Sequence, residues 1–182
     1  MKKRTAGSAD YRKYVALALA GGADNAKLIP ASKVVTAEWV RFKCQFGCSG
    51  YNKRLCCPPC TPTPAQTRKM LSEYRHALIY SYTCTPRGYK AKRLRMQKLI
   101  VAIERQAFLD GHYKALALMA GPCRLCADCN RNGNCRHPES ARPSMEGSGI
   151  DVYATARGSG IPLEVVTRAD ATAKFINLLL IE

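Results

Sequence analysis

The longest regular pattern in this chain runs from Tyr89 to Leu109. There Met96, Ile100, Ile103 and Ala107 recur at intervals of four, three and four. That spacing lines one buried face of a helix, which Asp110-Gly111 ends. Before it, Ala77 to Thr83 reads as a strand ending at Cys84. After it, Ala115 to Ala120 is an unbroken apolar run, a strand buried on both faces and stopped by Gly121-Pro122. Residues 10–20 predict a short helix broken by Gly21-Gly22, and Pro64 opens another that runs to about Arg75. Lys33 to Phe42 is mixed, with Val34-Val35 strand-like. A short helix near 148–157 and two closing strands, Leu163 to Arg168 and Phe175 to Ile181, complete the pattern. Strand–helix–strand order predicts an α/β fold with a small mixed sheet flanked by helices.

Two stretches follow neither the helix nor the strand period. Cys44 to Pro64 scatters cysteines among prolines, and residues 123–135 carry four more cysteines among polar and glycine positions. Such stretches predict loops folded around a ligand rather than around a core. The chain therefore divides, as one domain over residues 1–182, into an N-terminal helical extension (1–30), a first cysteine loop (31–64) and an α/β core carrying the second loop (65–182).

Composition sharpens this picture. With 182 residues and 47% hydrophobic content the chain can bury a core. No apolar run reaches the roughly 18 residues of a membrane helix. Met1-Lys2-Lys3-Arg4 looks like the start of a signal peptide, but the apolar stretch Val15 to Ala20 is too short to continue one, so a cytoplasmic location is expected. Ten cysteines in a reducing compartment call for metal rather than disulfides. The formal net charge is +16, and residues 1–113 hold 21 Lys+Arg against 6 Asp+Glu. A basic surface implies an anionic partner: an acidic redox protein first, nucleic acid second.

The spacing of the second stretch is the strongest chemical signal. Cys123, Cys126 and Cys129 stand at successive intervals of three, and Cys135 follows after five residues. Three closely spaced thiolates wrap one face of an iron–sulfur cubane and a fourth arrives from further along. Zinc is the alternative, but zinc sites usually pair two separate CxxC knuckles. The first stretch holds Cys44, Cys48, Cys56, Cys57 and Cys60, five cysteines within 17 residues, and predicts a second metal site. The adjacent Cys56 and Cys57 are not expected to face one metal, because neighbouring side chains diverge.

The runs Gly121-Pro-Cys-Arg-Leu-Cys126, Cys135-Arg-His-Pro-Glu139, Arg142-Pro-Ser-Met-Glu146 and Gly149-Ile-Asp-Val152 resemble a family of predicted metal-binding proteins, domain of unknown function 2284, common in anaerobic bacteria and archaea. Val40-Arg-Phe-Lys-Cys44, Gly47-Cys48, Tyr51 and Cys57-Pro-Pro59 match its first motif. The resemblance covers roughly residues 30–182. It implies Cys44, Cys48 and Cys57 as the first site's positions, with Cys56 and Cys60 as extras.

Three thiolates would leave one iron open unless Cys56, Cys60 or Cys84 closes the site. If the strands ending at Cys84 and before Cys123 are parallel neighbours, both cysteines lie at one sheet edge, where α/β folds place ligands. His137 reads as a neighbour of the ligands rather than a ligand. Glu146 and Asp151 read equally as acid–base groups or as local structure, in which Ser144 and Glu146 organise the start of the following helix and Asp151 bonds backbone amides near the cluster. Lys90, Lys92, Arg93, Arg95 and Lys98 crowd the first half of the long helix, the unfavourable end of its dipole for positive charge, which suggests a docking face. Three functions follow from these residues. The first is a two-cluster electron-transfer protein. The second is an enzyme using an open iron as Lewis acid or sulfur acceptor. The third is a metal-stabilised RNA-binding module, for which Tyr80, Tyr82 and Tyr89 are the available stacking aromatics.

Overall fold

The computed structural model describes residues 11–182. The basic start Met1–Arg4 and the first residue of the predicted 10–20 helix lie outside the described residues. The elements in chain order are α1 (Arg12–Ala20), β1 (Asn25–Pro30), α2 (Glu38–Gly47), α3 (Pro64–Leu71), β2 (His76–Cys84), α4 (Tyr89–Leu109), β3 (Leu116–Leu118), α5 (Val152–Gly158) and β4 (Ala173–Leu180). The four strands form one sheet in the order β1-β2-β4-β3. The α/β class holds. The sheet, expected to be mixed, is antiparallel at every pairing.

Alternation along the central strands sorts the core into two faces. Leu78, Tyr80, Tyr82 and Cys84 of β2 join Leu179 of β4 and Ala117 of β3 against α1 and α4. Ala77 and Ile79 join Ile176, Leu178 and Leu180 on the other face, packed with Met145, Ile150, Ala156, Ile161 and Leu163. A strand buried on both faces reads as a continuous apolar run, which explains the pattern of β2. Helix α4 turns Met96, Ile100, Ile103 and Ala107 into the first face, as the spacing predicts. Helix α3 begins at a capping box, in which Thr63 Oγ1 accepts from the Gln66 amide and the Gln66 side chain accepts from the Thr63 amide. It stops at Leu71 rather than near Arg75.

Three expectations are corrected. Among the described residues of the N-terminal segment, the helix covers Arg12–Ala20. Asn25–Pro30 forms the edge strand β1, paired with β2 from Asn25↔Ser81 to Pro30↔His76. Leu163 to Arg168 is not a strand. Among the described residues it has no partner strand, and Val165 and Val166 are exposed. It is held at its start by side chains instead, with Arg157 Nε donating to the Leu163 carbonyl and Lys174 Nζ to that of Pro162. Finally, β2 and β3 are not neighbours. Each pairs antiparallel with β4, which lies between them, Ile79 and Leu118 both standing opposite Leu178. They still run in the same direction, so the carboxyl ends of both strands reach one edge of the sheet. Both cysteine stretches gather beyond that edge. Among the described residues no helix is long and apolar enough to cross a membrane.

Candidate metal centre

Backbone hydrogen bonds tie the feet of the second cysteine loop together. The Met119 amide donates to the Pro143 carbonyl and the Met145 amide to that of Met119. The loop starts at a fixed point because Asn177 of β4, fully buried, accepts from the Ala120 amide and donates to Tyr80 Oη. The first cysteine loop is sewn to the same place. The Ser144 amide donates to the Cys56 carbonyl, 3.0 Å, and Arg54 donates to the carbonyls of Cys126 and Ala127.

The result is one cavity shared by the two loops. Cys123, Cys126, Cys129 and Cys135 line it together, as the spacing predicts, and Cys56 from the first loop joins them. The free space between these five thiols is about 20 Å³. Donors point at the sulfurs: Gln97 Nε2 at Cys123 Sγ (3.2 Å), the Leu55 amide at Cys129 Sγ (3.4 Å) and the His137 amide at Cys135 Sγ (3.4 Å). Cys56 hydrogen-bonds Cys123. That bond, above all, lowers the Cys123 thiol and raises that of Cys56, and the Gln97 and Leu125 donors add to the lowering. Gln97 also accepts from the Arg124 amide, so one buried residue of α4 fixes the loop's entry. His137 also lines the cavity, and its Nδ1 stands 3.9 Å from the Glu139 carboxylate.

The first site is a separate place. Cys44, Cys48 and Cys57 line a larger cavity of about 630 Å³, together with Glu146 and Asp151. Cys44 is on the last turns of α2 rather than in a loop, because the helix runs on through Gly47. Arg41, one turn earlier, binds the carbonyls of Thr61 and Gly147 and so presses α2 against the chain after Cys60. Burial, then the charges of Glu146 and Cys48, pushes the Cys44 thiol up to about 11. Burial, then Cys48 and Cys44, does the same to Cys57, up to about 11. Gathered thiols that resist ionising beside one another are the charge cluster a cation relieves. Ser144 hydrogen-bonds Cys57 and also accepts from the Gly147 amide, 2.8 Å. Gly147 has to be glycine, since a Cβ there would stand 2.4 Å from Ser144 Oγ.

The rival fourth ligands do not join this site. Cys60 is exposed and lines neither cavity. Cys84 is buried in the core face shared with α4 and lines neither. Cys56 faces the second site. Glu146, an acid–base or capping candidate from the sequence, lines this cavity with the three thiols, and its carboxylate accepts from the Gly121 amide at 2.9 Å. Asp151 caps α5 by accepting from the Ala154 amide, as its position before a helix allowed.

The basic run on α4 has a structural role. Arg93 is buried and donates to the Ala120 carbonyl and to Tyr89 Oη. Lys92 and Arg95 donate to the carbonyls of Gly22 and Gly21. Those carbonyls lie at the negative end of α1, which is why cations are tolerated at the start of α4. Tyr80 and Tyr82 are buried in the core, so they offer no platform for stacked bases.

Among the described residues, no group of three or more His, Cys, Asp or Glu side chains is set closely enough to hold a single metal ion as it stands. The donor chemistry nevertheless fits metal: two clusters of thiols, each rimmed by amide donors or a carboxylate, on loops with little other reason to fold. The fold and these sites define a cysteine-rich α/β protein of metal-binding type. A family model described as predicted metal-binding protein, domain of unknown function 2284, matches residues 27–181, and the chain belongs to that family. No curated protein and no solved structure matches the chain.

Proposed function

We propose that this protein is an iron–sulfur redox protein with two cluster sites, one at Cys123, Cys126, Cys129 and Cys135 beside Cys56, the other at Cys44, Cys48 and Cys57. The observation that carries this reading is that consecutive residues, Cys56 and Cys57, face different sites. One peptide unit thus joins the two thiol clusters. A bound cubane would supply one-electron chemistry at each site. The chain's own residues would hold the charge: Gln97 and the Leu55 and His137 amides donate to the sulfurs of the second site, which favours the thiolate forms. A cytoplasmic acidic redox protein is the partner that the excess of positive charge suits.

A second reading, an enzyme, is favoured by the large cavity. The first site has three cysteines and opens into space for a small molecule, whereas the second leaves only about 20 Å³. There Glu146 would hold or accept a proton next to the thiols, anchored by the Gly121 amide.

Anaerobic purification followed by counts of iron, zinc and acid-labile sulfide tests the proposal. Iron and sulfide in equal amounts, with a cubane signal in low-temperature electron paramagnetic resonance after reduction, are expected. Stoichiometric zinc without sulfide would overturn it.

A further inference from the structure

The cavity above Cys44, Cys48 and Cys57 has walls that the thiols do not explain. Its volume, about 630 Å³, lies within the range of small-molecule sites. Val40, Ile150, Val152, Leu163, Phe175 and Ile176 give it an apolar lining. Its two carboxylates are already engaged: Glu146 by the Gly121 amide and Asp151 by the Ala154 amide. Its cations are Lys43, Arg157 and Lys174. Lys43 lies over the Trp39 ring, 5.7 Å from its centre. Arg157 and Lys174 belong to a different wall, where they clasp the segment after α5. Arg157 Nε donates to the Leu163 carbonyl at 3.1 Å and Lys174 Nζ to the Pro162 carbonyl at 3.0 Å, ordinary lengths for such bonds. These single bonds position the two cations and leave further N–H donors on each. Glu164 stands 3.7 Å from Arg157, on an 86% exposed side chain. Such an exposed pair is weak and easily displaced.

We propose that this cavity binds a small organic acid with an apolar body. The apolar walls take the body, and Arg157 and Lys174 take the carboxylate. The fixed carboxylate of Glu146 belongs to the cysteine side of the cavity, where the Glu146 carbonyl stands 3.9 Å from Cys44 Sγ, so the acid group belongs on the wall built by α5 and the start of β4 rather than on the wall built by α2. The inference rests on the cavity and its cations, and it holds whichever metal the thiols carry.

The test compares two probes of one shape, 4-phenylbutanoate and 4-phenylbutan-1-ol, by titration calorimetry on the anaerobically purified full chain at millimolar probe. The acid is expected to bind once per chain and at least about tenfold more tightly than the alcohol. Arg157→Gln with Lys174→Gln, both exposed at their heads, should bring the acid down to the affinity of the alcohol without changing iron, zinc or sulfide content. Leu163→Trp should fill the cavity and weaken both probes. Near-ultraviolet circular dichroism identifies a variant that fails to fold, and the charge pair then stands as the deciding comparison. Equal binding of acid and alcohol, no binding of the acid, or undiminished acid binding by the Arg157/Lys174 variant would overturn the proposal. Metal counts on each sample keep that failure distinct from failure of the iron–sulfur reading.

Discussion

Cys56 and Cys57 show how much a single peptide step decides. The two residues sit in a run of turns whose backbone sends the adjacent thiols to two different cavities. The backbone makes the choice of side: the Cys56 carbonyl is held by the Ser144 amide, and Cys57 lies against Ser144 Oγ. Cys56→Ser is therefore expected to alter the spectrum and metal content of the second site and to spare the first, while Cys57→Ser does the reverse. Cys60→Ser and Cys84→Ser should leave the metal count at the wild-type value. Metal analysis with electron paramagnetic resonance of the four single variants checks this. A loss in Cys84→Ser equal to that in Cys57→Ser would return Cys84 to the ligand set. The four cysteines grouped by their spacing in the sequence line one cavity in the fold. The sequence alone could not assign Cys56, because nothing local says which way an irregular segment turns.

Helix α4 is the element on which the second loop depends. Its apolar face enters the core, and three polar residues, Arg93, Gln97 and Glu104, are buried on the side facing the loop. Arg93 holds the Ala120 carbonyl, Gln97 holds Cys123 and Arg124, and Glu104 pairs with Arg142 while accepting from the Ala117 amide at 2.9 Å. Removing one member of such a buried pair leaves the other charge and an amide without a partner. Glu104→Ala should therefore cost about 3 kcal/mol, measured by denaturant unfolding with the metal in place. A loss below about 0.5 kcal/mol, the range of surface substitutions, would show that Arg142 finds solvent instead. The helix's length and buried stripe were legible from its spacing. Its buried polar residues were not, since Arg93 sits in a run of cations that reads as a solvated face. Strand β1 was missed for a related reason: Asn25–Pro30 lacks alternation and takes its conformation from pairing with β2.

At the scale of the whole molecule, Arg93 is buried and Lys92 and Arg95 bond backbone carbonyls, while Lys90, Arg95 and Lys98 stay exposed on α4. Lys53 and Arg136 remain exposed beside the second site, on the same two loops that carry its cysteines. If an acidic redox partner docks where electrons enter, Lys53→Gln with Arg136→Gln should slow association several-fold at low salt and flatten its salt dependence, with metal content unchanged. Stopped-flow electron transfer from a reduced acidic ferredoxin across a salt series is the measurement. An unchanged rate and slope would remove this surface from consideration.

The chain's sequence determined its α/β class, the helix Tyr89–Leu109, the buried strand pattern of His76–Cys84 and the clustering of thiols from 123 to 135. These are short-range properties, in which side-chain period and ligand spacing are written directly into the order of residues. The tertiary structure alone decided that β4, the last strand of the chain, lies between β2 and β3. It also decided that Cys56 and Cys57 part company, and that Glu146, Arg157 and Lys174 meet around one cavity with Cys44, Cys48 and Cys57. Those choices depend on which distant surfaces satisfy each other's apolar area and backbone hydrogen bonds, and no local pattern along the chain carries that information.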